Sequence, residues 1–205
     1  MKKIILFLIA VGNAFAASAP KTHDGLFINF AMGFGFQSID YVLSDYQKKA
    51  IGESGMATDI DIKIGGKVGN NLLMHLTLTG VTQTESFNGI NERGERIQYS
   101  PNLSLFGIGA TYYFLDNFLA TASLGLAQFH ANEDVATFYG SVHTNPGPGE
   151  TTGLGFQIAG GKEWWIADEW GVGATASILY GFAVNLEDAR ESAFSFAIRL
   201  SVTFN

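Results

Sequence analysis

Phe194-Ser195-Phe196-Ala197-Ile198-Arg199-Leu200-Ser201-Val202-Thr203-Phe204 places six large apolar side chains on even positions and small, polar or charged ones on the odd positions between them. Side chains of a strand alternate faces with period two, so this segment presents one continuous apolar face and one polar face. The face that carries Arg199 is the one that has to be explained.

The same parity recurs upstream. Leu26, Ile28, Phe30, Met32, Phe34 and Phe36 alternate with Phe27, Asn29, Ala31, Gly33, Gly35 and Gln37. Ile60, Ile62 and Ile64 alternate with Asp59, Asp61, Lys63, Gly65 and Lys67, and Met74, Leu76 and Leu78 with His75, Thr77 and Thr79. Phe106 to Phe114, Phe118 to Leu126, Leu154 to Ile158 and Val172 to Phe182 follow the same rule. Beyond the N-terminal leader no run approaches 18 consecutive apolar residues, so a membrane can be crossed only by strands. The expectation is an all-β fold: a transmembrane antiparallel up-and-down β-barrel of about eight strands over residues 25–205.

The connections sort into two classes. Gly69-Asn70-Asn71, Leu115-Asp116-Asn117 and Ile166 to Glu169 read as tight turns, whereas 38–55, 83–100, 130–151 and 183–192 are long and polar. Alternation of short and long links is the asymmetry of an outer-membrane barrel, with short turns on the periplasmic side and long loops outside. Tyr112, Phe114, Phe118, Trp164, Trp170 and Phe204 all fall beside the short turns or the C-terminus, which predicts one belt of an aromatic girdle.

Lys2 and Lys3, the apolar run Ile4 to Val11 and Ala14-Phe15-Ala16 predict a secretory signal peptide over residues 1–16, with a second possible cut after Ala19 and a tail over 17–24. A retained membrane anchor is the rival, but Asn13 and the Ala/Ser-rich stretch interrupt the run early. Counted after cleavage, ten Lys and Arg stand against nineteen Asp and Glu, an acidic balance that argues against nucleic acid as a partner. The chain contains no cysteine, which excludes disulfides and thiol-based metal or redox chemistry.

In this pattern, in the Gly107 to Phe114 strand end and in the closing strand, the chain resembles the small outer-membrane β-barrel proteins of Gram-negative bacteria, the OmpA/OmpX-like barrel class. The resemblance implies contact with outer-membrane lipid and lipopolysaccharide, and assembly by machinery that reads an aromatic C-terminal strand. Here Phe204 is penultimate and Asn205 follows. No cofactor is implied.

Asp59, Asp61, Lys63, Lys67, Glu163 and Arg199 share the inward parity, three acids against three bases, and are expected to form a charge network in a side-chain-filled lumen. Glu163 is the first candidate partner of Arg199, with Asp59 and Asp61 as alternatives. An ion-conducting path is the alternative, and discrete channel conductance would reveal it. Lys162, of opposite parity, is expected to face lipid beside Trp164 and to snorkel toward the headgroups. His23, His75, His130 and His143 show no metal-ligand spacing. A lipid A-modifying site built on His130 with Glu133, or on His143 with Ser141, rests on proximity alone. Asn145-Pro146-Gly147-Pro148-Gly149 breaks regular structure and marks a loop tip, and the long links carry acids such as Glu150, Glu187 and Asp188. The functional expectation is a non-enzymatic envelope protein with a structural or surface-interaction role.

Overall fold

The computed structural model describes residues 22–23, 25–42, 49–90, 96–137, 140–144 and 151–205; the side chains of 88–90, 96–98, 131–137 and 140–144 lie outside the description. The leader over 1–16, most of the tail over 17–24 and the tip at Asn145 to Gly149 also lie outside it.

Ten strands run in chain order: β1 Leu26–Tyr41, β2 Ile51–Gly69, β3 Leu72–Gln83, β4 Phe87–Ile90, β5 Arg96–Phe114, β6 Phe118–Thr137, β7 Gly140–Thr144, β8 Thr151–Trp165, β9 Trp170–Val184 and β10 Arg190–Phe204. Eight of them, β1, β2, β3, β5, β6, β8, β9 and β10, pair antiparallel in sequence, and β1 with β10 closes the cylinder. The short strands β4 and β7 hang on the outer ends of β5 and β6.

A hydrogen-bonded row that leaves β1 at Phe36 passes Phe196, Ile178, Ile158, Ala122, Ala110, Met74 and Gly66, and returns to β1 at Leu26, ten residues lower. That shear over eight strands tilts them by roughly 40° from the barrel axis. Leu26 to Phe36 therefore climbs roughly 25 Å, the height of an outer-membrane apolar band. The outward positions in this interval are large and exposed: Phe34 and Leu200 each keep 69 % of their surface open. A soluble protein does not leave such a continuous belt to water.

The short turns form one end. Asn71, Asp116 and Asn117 have φ of 58°, 50° and 64°, the left-handed backbone that Asn and Asp tolerate better than other side chains. Tyr112, Phe114, Phe118, Trp164, Trp170 and Phe204 sit at that end, where Phe114 stacks on Phe118 at 6.2 Å and Trp170 meets Phe204 edge-on at 5.3 Å.

At the opposite end the described residues of the polar links expected over 38–55, 83–100, 130–151 and 183–192 are largely strand. The last is reduced to a turn over residues 185–189, in which Asn185 Oδ1 accepts from the backbone N–H of Glu187 at 3.1 Å and of Ala189 at 2.8 Å. The cause is an exchange of faces. Above the band the outward positions turn polar, as at Ser38, Ser54 and Ser192, while inward positions such as Ile39, Tyr41 and Tyr99 turn apolar and buried. The period of two persists with its sign reversed.

Candidate functional site: the lumen and its outward extension

All inward positions are odd-numbered, and they stack in three layers. At the short-turn end Phe27, Leu73, Tyr113 and Leu119 form an apolar floor. His23 stacks on Tyr113 at 3.5 Å and tilts against Trp165 at 4.9 Å, so its ring lies against this mouth.

The middle layer is ionic. Arg199 is 1 % exposed and donates from Nε to Asp59 Oδ1 at 2.6 Å, from Nη2 to Asp59 Oδ2 at 2.7 Å and from Nη1 to Asp61 Oδ2 at 2.8 Å. Lys63 Nζ also pairs with Asp61 Oδ2, and Thr79 Oγ1 donates to Asp61 Oδ1 at 2.8 Å. Gln157 turns its amide oxygen to Nη2 and Nη1 of Arg199 at 3.0 and 3.1 Å. Two acids and two bases thus neutralise one another, and the fork geometry of the guanidinium satisfies both Asp59 oxygens at once. A hydroxyl lattice lies beside them: His75 bridges Thr77 Oγ1 at 2.9 Å and Thr111 Oγ1 at 3.0 Å, and Thr77 reaches Ser123 at 2.9 Å. A small cavity of about 20 Å³ lies between the ionic layer and the floor, bordered by Lys63, Arg199 and Ser201 and large enough for a single water.

The third layer is apolar and fills the outer half. Leu103, Leu105 and Phe129 pack with Ile39, Tyr41 and Leu179, all essentially inaccessible. Leu103 and Leu105 reach across to the opposite wall: a Cβ placed at Gly181 would stand 2.9 Å from Leu103 Cδ1, and one at Gly155 would stand 3.0 Å from Leu105 Cδ1. Above this layer Tyr99 donates to Glu53 Oε1 at 3.2 Å. Burial raises the Tyr99 phenol from its usual range; Tyr41 works against this and the Glu53 carboxylate adds to it.

Two of the six residues expected in the charge network are placed elsewhere. Lys67 is exposed, because it lies at the short-turn end of β2, past Gly66, the last β2 residue paired with β1, and so stands at the barrel mouth. Glu163 is buried but not paired with Arg199; it accepts from Tyr113 Oη at 3.3 Å. The register explains this: the row through Arg199 crosses β9 at Thr175 and β8 at Gly161, two residues above Glu163, and the guanidinium turns the other way, toward β2. The apolar outer layer escaped the sequence reading altogether. Its signal was there in Leu103, Leu105 and Phe129, three large apolar residues of inward parity.

His130 is half-buried on β6; the side chains of Glu133, Ser141 and His143 lie outside the described residues. Among the described residues no group of three or more His, Asp or Glu gathers to hold a metal.

Outside the band, β5 and β6 remain paired up to Ile97 opposite Val135, while β4 adds to β5 and β7 to β6. Gly89, Ile97, Val135 and Val142 thereby form one row of a four-stranded sheet that projects from the barrel. Its two edges, β4 and β7, are the ends of the sheet order.

No family model and no curated protein matches the chain. Solved structures do. The crystal structure of Neisserial surface protein A is similar at 13 % identity, with a TM-score of 0.51, covering 88 % of this chain and 99 % of that one. Ail, the attachment invasion locus protein of Yersinia pestis, in complex with the heparin analogue sucrose octasulfate, aligns at 7 % identity and a TM-score of 0.47 over 88 % of this chain and 99 % of that one. The outer membrane protease OmpT from Escherichia coli aligns at 10 % identity and 0.45 over 93 % and 99 %. At such identities the likeness speaks to the fold. Closed, sheared to carry an apolar belt about a bilayer high, and matched over nearly all of Neisserial surface protein A, this chain has the fold of the small eight-stranded outer-membrane β-barrels.

Proposed function

We propose that the protein resides in the outer membrane as a non-catalytic, non-conducting barrel that presents the β4-β5-β6-β7 sheet to the outside for interaction with a partner. The observation that carries this reading is the outward continuation of β5 and β6 beyond the apolar band, broadened by β4 and β7 into a sheet with two edges. A sheet edge offers a row of N–H and C=O groups to an extended segment of another chain, which can add as a further strand. The filled lumen supports the non-conducting part of the reading, because among the described residues three packed layers occupy it.

The test is selection of extended decapeptides on phage against the barrel in nanodiscs. Peptides that bind wild type and lose binding to Val142→Pro or Asn88→Pro support strand addition at those edges, since proline removes a ladder donor. Enrichment no greater than on a barrel lacking the sheet, or unchanged binding to both proline variants, overturns it. Altered lipid A mass on expression would replace it with a catalytic role.

A further inference from the structure

The lipid-facing surface is not uniformly bulky. On β1 and β10 the outward positions include Phe30, Phe34 and Leu200, whereas across β5, β6, β8 and β9 a local patch of alanine and glycine interrupts the large side chains. Ala110 pairs with Ala122, and in the next row toward the short turns Ala120, Gly160 and Ala176 follow Tyr112 of β5. The result is a groove of about 330 Å³ floored by Ala110 and Ala122 and walled by Ile108, Leu124, Phe156 and Ile158. At its short-turn end the following row brings Phe118 opposite Lys162, whose Nζ lies 4.3 Å from the Phe118 ring centroid. Among the described residues Lys162 is the one cation that faces outward within the apolar band, and no acid faces outward there to meet it.

We propose that this groove is a specific site for an anionic glycerophospholipid of the leaflet at the short-turn end, with one acyl chain over Ala110 and Ala122 and the phosphate at Lys162. The inference rests on the transmembrane reading of the barrel. Lys162 and Ile158 are four residues apart on β8, roughly 13 Å, so a phosphate held at the rim leaves its chain ample length to fill the groove. Small side chains let an acyl chain lie close to the backbone, where it recovers dispersion contacts that a smooth bulky surface denies it. The lysine stem snorkels along the sheet and carries the charge to headgroup depth, which selects a net anionic headgroup. A second copy of the barrel fits less well, because a two-fold contact on this face would bring two Lys162 side chains together with no outward acid between them.

Native mass spectrometry of the detergent-solubilised barrel, titrated with phosphatidylglycerol and with phosphatidylethanolamine, tests this. Wild type is expected to retain one phosphatidylglycerol with about fivefold preference over phosphatidylethanolamine, the factor a single interfacial lysine supplies. Lys162→Gln should lose the preference, Ala122→Phe should lose retention of both lipids, and Lys67→Gln at the same mouth should behave as wild type. Equal retention of both lipids by wild type, or an undiminished preference in Lys162→Gln, overturns the site. A dimer that disappears in Ala122→Phe would assign the face to a second copy and overturn it as well. Heat-shifted gel migration of the same samples separates the two claims: a closed barrel without lipid preference sinks the site alone, whereas absence of the shift in wild type sinks the transmembrane reading with it.

Discussion

Asp59 and Arg199 meet across a strand to which neither belongs. β1 runs between β2 and β10, and its residue opposite both is Gly33. The bidentate pair closes at 2.6 and 2.7 Å over a position without a side chain, with Ala31 next below it opposite Asp61. A local vacancy in β1 thus determines that the charges can find each other.

Gly33→Val should therefore prevent refolding or destabilise the barrel severely. A Cβ there would collide with the Ile198 carbonyl oxygen and crowd the Arg199 backbone, forcing apart β1 and β10, the strand that carries the guanidinium. Gly80→Ala, where a Cβ meets nothing within 4 Å, is the matched control and should leave stability unchanged. Urea unfolding of both variants in lipid checks the contrast.

Arg199→Ala should cost on the order of 3–5 kcal/mol, because Asp59 and Asp61 remain buried and, among the described residues, Lys63 is the one cation left beside them. Arg199→Lys should cost less but still measurably, since an ammonium cannot satisfy both Asp59 oxygens in one fork. Equal stability of Arg199→Ala and wild type in the same assay would refute the structural role of this layer.

The apolar layer predicts a silent wild-type barrel in planar bilayers. Leu103→Ala with Phe129→Ala removes two residues that fill the outer lumen, and each truncation should cost about 2–5 kcal/mol. Current steps are expected to stay rare in this double variant, because the ionic layer beneath remains closed. Combining it with Arg199→Ala and with Leu73→Ala and Tyr113→Ala in the floor should produce steps. A wild-type barrel that already conducts like an open porin would put the channel reading first.

Orientation can be read with cysteines, since the chain has none of its own. A membrane-impermeant thiol reagent on intact cells should label Leu186→Cys, at a residue 87 % exposed at the tip between β9 and β10, and Asn88→Cys on β4. It should not label Asn70→Cys or Asp116→Cys in the short turns. The opposite pattern would invert the barrel.

Strand-by-strand alternation, the short turns at Asn71 and Asp116, and the inward parity of Asp59, Asp61, Lys63 and Arg199 were legible in the sequence alone. Each depends on neighbours along the chain: period two assigns a side chain to a face, and Asn or Asp supplies the left-handed backbone. The partner of Arg199 was not legible. Which residue meets it follows from register and shear, and these are properties of the closed cylinder. Closure put Glu163 below the row of Arg199 and Asp59 beside it across Gly33, and it left Lys67 at the mouth, past the last β2 residue paired with β1. The outer lumen was hidden for a related reason. Its alternation is as regular as that of the band, but whether an apolar face meets lipid or the opposite wall is decided by height along the axis, and strand tilt sets that height only once all eight strands have paired.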